Sequence, residues 1–150
     1  ASMEDQFEIV KQALAAEINR GQAEVIKDEE RIIIRLAEHG SFPSGSALIK
    51  PSFKRILSKL ALSLQEVSGE IMVEGHTDSV PMAYNERFRS NWDLSAARAA
   101  AVVDYLLGVT PQVRGRIMAS GMADIRPLMT NETSIGRSRN RRIEVIMGAP

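Results

Sequence analysis

Glu70 to Met82 reads "EIMVEGHTDSVPM": a short apolar run that ends in a histidine, a threonine and an aspartate. The run "EIMVEG" predicts a strand, which leaves the HTD cluster at its C-terminal end. An aspartate there can cap a turn through its own side chain. The same cluster could also hold a metal, belong to a hydrolase, or form a turn that binds a ligand.

Working outward, the next elements fall on both sides of this strand. Upstream, Phe53, Ile56, Leu57, Leu60 and Leu64 make one apolar stripe of a helix that starts at Pro51 and ends by Ser68-Gly69. Before it, "HGSFPSGS" is a loop. Val25-Ile26 and the alternation Ile32, Ile34, Leu36 predict two arms of a hairpin that turns at Lys27 to Glu30. At the start, Phe7, Val10, Leu14 and Ile18 lie on one face of a helix ending near Gly21.

Downstream, a polar loop runs from Ser79 to Trp92 and leads into a helix predicted over Leu94 to Leu107, with Asp93 as N-cap and Gly108 as terminator. "RIMAS" predicts a strand, "GMADIRPLMTNETS" a loop and "SIGRSRNR" a short helix; "RIEVIM" closes the chain with a strand. The expected fold is an α/β sandwich, one mixed sheet with helices packed on one face and an amphipathic helix at the N-terminus. Every strand-to-strand crossover is long enough for a βαβ connection. Residues 1–21 form a linker or helix region, and residues 22–150 form the domain.

Composition excludes several functions. Nineteen basic and nineteen acidic side chains cancel in a 150-residue chain, so no overall field draws it to nucleic acid or a membrane surface. The charge is unevenly placed, however. Residues 1–40 hold nine acidic and five basic side chains, and residues 114–142 hold seven arginines against Asp124 and Glu132. That arginine run is either a solvated face or an anion-facing surface. A nucleic-acid interface through "RSRNRR" lacks an aromatic platform beside it. There is no cysteine and no apolar run of membrane-spanning length.

The HTD cluster itself argues against chemistry. A metal site needs about three protein ligands, whereas His39 and His76 are the only histidines and thiolates are lacking. A hydrolase needs a nucleophile on a strained turn, and there is no G-x-S-x-G. We therefore expect no catalytic residue, no metal and no cofactor. His76 is expected to bond loop backbone and support the turn.

The ordered series "EGHTD", "NWDLSAARA", "GMADIRPLMTNET" and "GRSRNRRIEV" resembles the OmpA-like peptidoglycan-binding domain over roughly residues 30–147. Within it, "FPSGSA" at 42–47, the proline after the HTD turn and "SNWDLSAARA" at 90–99 most resemble the periplasmic part of flagellar stator B subunits of the MotB and PomB type. The resemblance implies a non-catalytic module that anchors an ion-driven stator to peptidoglycan by gripping diaminopimelate; a general cell-envelope tether is the alternative. It places the peptidoglycan-binding residues at Asp78, Arg98, Asn91 and Thr77, with Arg142 near the same cleft. It further implies a homodimer, a stator A-type membrane subunit joined through a transmembrane part outside this chain, other periplasmic motor proteins as partners, and the periplasmic side of the inner membrane as location. The segment between Asp78 and Arg98, with "VPMAYNERFRS", is longer than in compact members and could cover or reshape the pocket.

The chemistry agrees with these residues. Diaminopimelate presents an ammonium beside a carboxylate. Asp78 can accept from the first, and the forked guanidinium of Arg98 can clamp the second in a way lysine cannot. The N-terminus of the following helix adds partial positive charge.

Overall fold

The computed structural model describes residues 2–83 and 86–148. Its strands are β1 (Ala23–Asp28), β2 (Arg31–Ala37), β3 (Ile71–His76), β4 (Ile117–Gly121) and β5 (Arg142–Met147). The helices are α1 (Met3–Ala13), α2 (Ala15–Asn19), α3 (Pro51–Leu64), α4 (Asn91–Val109) and α5 (Ser134–Asn140), with a 3-10 turn over Pro111–Arg116. The sheet order is β1-β2-β5-β3-β4.

The α/β sandwich with a mixed sheet is present, but its connections differ from the βαβ expectation. Only β3 and β4 pair in parallel; β5 inserts between β2 and β3 and runs antiparallel to both. The hairpin turns at Glu29-Glu30, and Glu29 takes a positive φ of 54° there.

Alternation along the strands builds the core. Ile32, Ile34, Leu36, Ile71, Val73, Ile143, Val145 and Met147 face the helices and join Leu57, Leu60, Leu64, Val102 and Leu106 in one buried cluster. On the opposite face the register aligns Ile26, Ile33, Ile146, Met72 and Met118 in a single apolar row across all five strands.

The N-terminal helix belongs to this core. Val10 and Leu14 are fully buried, with Met3, Phe7 and Ile18 packed around them. Ser2 caps α1 in a reciprocal box with Asp5. Gln6 Oε1 accepts from the Ser68 backbone N–H at 3.1 Å, and Glu4 pairs with Lys27. The single helix expected to Gly21 is instead interrupted at Leu14.

Two glycines bring α4 onto the sheet. Gly75 and Gly121 are register partners on β3 and β4. A Cβ on Gly75 would stand 2.2 Å from the Ser95 carbonyl oxygen, and one on Gly121 2.5 Å from the Ala96 nitrogen. The first turns of α4 therefore lie against bare backbone at the strand ends, beside the HTD turn.

Candidate functional site

Four segments meet at that end of the sheet: the HTD turn after β3, the start of α4, the loop after β2 and the end of α5. They enclose a cleft of ≈ 780 Å³ lined by Glu38, Thr77, Asp78, Asn91, Arg98 and Arg141, among others.

Backbone bonds hold the HTD turn in place. Thr77 donates its N–H to the Ala123 carbonyl at 2.8 Å, and its hydroxyl donates to the Asp78 carbonyl at 2.8 Å. Asp78 Oδ1 accepts from the Val80 N–H at 3.0 Å, the turn-capping contact expected of an aspartate here. Asn91, the first residue of α4, donates its side-chain amide to the Val80 carbonyl at 3.0 Å. The helix begins earlier than expected. Ser90 is its N-cap, while Asp93 accepts instead from the Arg89 N–H.

The second carboxylate oxygen of Asp78 accepts from Arg141 Nη1 at 2.6 Å. Arg141 also donates through Nε to Glu38 at 3.1 Å, and the other Glu38 oxygen accepts from Arg98 Nη1 at 2.6 Å. Asp78, Arg141, Glu38 and Arg98 thus form one alternating chain of charges across the cleft. Arg98 is pinned further: Nε donates to the Ser46 carbonyl, Nη2 to the Pro43 carbonyl, and its guanidinium stacks 4.7 Å from the Phe42 ring centre. It is 4% exposed. In this state it organises the "FPSGSA" loop as well as facing the cleft. Arg141 is the more open cation, with 35% of its side chain accessible. Burial opposes its charge, but the bonds to Asp78 and Glu38 outweigh that and push its pKa up.

Of the five residues expected at the site, Asp78, Arg98, Asn91 and Thr77 line the cleft. Arg142 does not. It is the first residue of β5 and turns to the open face of the sheet, where it bonds Glu144, the Asn140 carbonyl and the Arg126 carbonyl. Its neighbour Arg141 enters the cleft instead. Sequence reasoning also missed Glu38, whose signal was its position just past a strand end. The long segment contributes Val80 to Ala83 to the wall; Tyr84 and Asn85 lie outside the described residues.

Asn140 braces the opposite wall. Fully buried, it accepts from the Leu128 and Met129 N–H groups and donates to the Met129 carbonyl and to Asn131. Asn131 Oδ1 accepts in turn from the Ser79 N–H, tying this loop to the HTD turn.

His76 differs from expectation. Its ring bonds the Glu74 carboxylate at 2.9 Å rather than loop backbone, and Nδ1 is buried without a partner. Glu74, His76 and Glu144 offer ligand atoms within 4.8 Å of one another. Glu144 Oε2, however, already accepts from both Arg35 and Arg142, so a divalent ion would sit beside two guanidiniums.

Burial alone would raise the pKa of Glu144, but Arg142, with help from His76 and Arg35, holds it below the usual carboxylate range. A depressed carboxylate stabilises the fold above its unfolded pKa of about 4.3 and loses that contribution as pH falls through its folded value. Glu144→Gln should therefore be less stable than the parent at pH 7 in urea unfolding, with the gap closing as pH falls below about 4. A gap that stays constant with pH would remove Glu144 from this role.

A family model described as the OmpA family matches residues 41–141. Motility protein B of Bacillus subtilis is 33% identical over 131 residues, covering 84% of this chain and 48% of that protein. An uncharacterized protein of the same organism, YtxE, is 34% identical over 128 residues, covering 85% of this chain and 52% of that one. The chain thus spans about half the length of these curated relatives. Among solved structures, the cell wall anchor of the T6SS from Pseudomonas aeruginosa superposes with a TM-score of 0.87 at 35% identity, covering 94% of this chain and 97% of that one. A MotB-like protein from Desulfovibrio vulgaris gives 0.89 at 27% identity, covering 98% and 94%.

Proposed function

The chain belongs to the OmpA family of non-catalytic peptidoglycan-binding modules, and from that premise we propose that its cleft grips the diaminopimelate of cell-wall peptides. The observation that carries this reading is the charge chain of Asp78, Arg141, Glu38 and Arg98 in one cleft. The ligand ammonium displaces Arg141 from Asp78. The ligand carboxylate is then met by the released Arg141 and by the guanidinium of Arg98. Thr77 and Asn91 hold the turn that presents Asp78. One opposite-charge arrangement replaces another, so the net gain per contact stays modest, within about 1.5–3 kcal/mol before desolvation. Repetition along the wall raises retention through effective concentration.

Asp78→Asn keeps size and loses charge; Arg98→Lys keeps charge and loses the fork. Each should weaken pull-down on isolated cell wall by about tenfold. Undiminished retention of an Asp78→Asn, Arg98→Ala double variant that still melts cooperatively would move the site elsewhere.

We further propose that the module anchors a flagellar stator from the periplasmic side of the inner membrane, as a homodimer joined to a stator A-type subunit and other motor proteins through parts outside residues 1–150. Likeness to motility protein B and to the MotB-like protein supports this. Among the described residues no helix is long and apolar enough to cross a membrane. The likeness to a secretion-system wall anchor supports a second reading, the same grip serving a T6SS. Deletion of the parent gene separates them: lost swimming with intact secretion favours the motor, and the reverse favours the T6SS. Light scattering of the purified chain at micromolar concentration should give twice its mass; the mass of one chain would count against a dimer intrinsic to residues 1–150.

A further inference from the structure

Behind Arg141 lies a second cavity of ≈ 520 Å³, between the α2–β1 turn, β2, the end of α5 and the start of β5. Its ionisable lining is Arg20, Arg35, His39, Arg139, Arg141 and Arg142 against one carboxylate, Glu24. These are the arginines of the "RSRNRR" run joined by cations from the other end of the chain. Arg35 and Arg142 share Glu144, Arg139 pairs with Glu24, and Arg141 is held by Glu38 and Asp78. Arg20 makes no side-chain ion pair or hydrogen bond among the described residues, although its charge is felt at Glu17. Arg141 lines both cavities.

We propose that this cavity is a second anion subsite, taking a further carboxylate of the same wall peptide whose zwitterionic head occupies the Asp78 cleft. The inference rests on the wall-peptide reading of that cleft. Arg20 has no resident carboxylate and Arg35 and Arg142 share one, so the cavity holds unmatched positive charge. The ionised acids of a peptide are carboxylates, so a ligand continuous with the head in the first cleft meets this cavity with a carboxylate. When the ligand ammonium takes Asp78, Arg141 loses its closest partner, and a carboxylate beside it restores neutrality where the two cavities meet. The module would thereby recognise an extended acidic peptide, not an isolated amino-acid head, and Arg141 would couple the two halves.

Calorimetry on the whole chain tests this with two probes, free diaminopimelate and the dipeptide N-acetyl-γ-D-glutamyl-diaminopimelate, acetylated so that the glutamyl unit adds a carboxylate and no ammonium. The parent protein should bind the dipeptide about tenfold more tightly, as one added charge-assisted contact supplies. The double variant Arg20→Ala, Arg139→Gln changes two exposed side chains outside the first cleft. It should bring the dipeptide to within about twofold of diaminopimelate while leaving diaminopimelate binding as it was. A dipeptide advantage that is missing in the parent, or that survives in the variant, overturns the second subsite and leaves the first reading standing. Failure of both probes to bind the parent overturns both together.

Discussion

Gly75→Ala is expected to destabilise the domain by about 3 kcal/mol or more, the upper end for overpacking against backbone. For a chain of this size that is a fall in melting temperature of roughly 6–12 °C. The added methyl would stand 2.2 Å from the Ser95 carbonyl oxygen, and no side-chain rotation relieves a clash between a Cβ and a helix backbone. Either β3 or α4 must move. Both carry the site: Asp78 follows β3 by two residues, and Asn91 and Arg98 stand on α4. Cell-wall retention should therefore fall even at temperatures where the variant is folded. Ser95 adds to the coupling, since its hydroxyl accepts from the Ala123 N–H, whose carbonyl accepts from Thr77. A Gly75→Ala protein that melts within about two degrees of the parent would mean that α4 is not seated on bare strand backbone.

Leu14→Ala should cost about 2–5 kcal/mol, the range for emptying a fully buried leucine site. Leu14 has no exposed surface and lies at the break between α1 and α2. Its burial bears on how a wall anchor could extend. We propose that residues 3–21 are a separable region: packed on the domain at rest, and released when the wall is engaged. Released chain adds up to about 3.3 Å of reach per residue. Release exposes Val10 and Leu14 at about 1.5–3 kcal/mol apiece, partly offset by regained chain entropy. A substitution that weakens this packing therefore shifts the balance toward the released form. A disulfide engineered between α1 and the core would lock the packed form when oxidised. On the motor reading, cells carrying it swim only after reduction. Normal swimming in the oxidised state would sink the switch, and a Leu14→Ala protein as stable as the parent would remove the helix from the core.

Local periodicity made much of this fold legible. The alternation in "RIIIRLA" and "RIEVIM" and the stripe from Phe53 to Leu64 each produced the expected element. Sheet order was not legible, because the insertion of β5 between β2 and β3 depends on pairings more than a hundred residues apart for β2 and about seventy for β3. The start of α4 was misplaced because Ser90 and Asp93 are both capping residue types, and only the hydrogen bonds distinguish them. At the site, the HTD turn and Arg98 followed from ordered motifs. The difference between Arg141 and Arg142 did not. β5 begins at Arg142, so two adjacent arginines diverge, one toward the cleft and one onto the sheet face beside Glu144. Glu38 carried no motif at all, yet it links Arg98 and Arg141.

A crystal structure of the protein with diaminopimelate tests the charge exchange in the cleft most directly. In it the ligand ammonium should lie within about 3.2 Å of the Asp78 carboxylate and its carboxylate on the Arg98 and Arg141 guanidiniums, with the Asp78–Arg141 bond broken. Ligand bound away from this cleft, or bound with Asp78 still held by Arg141, would contradict it.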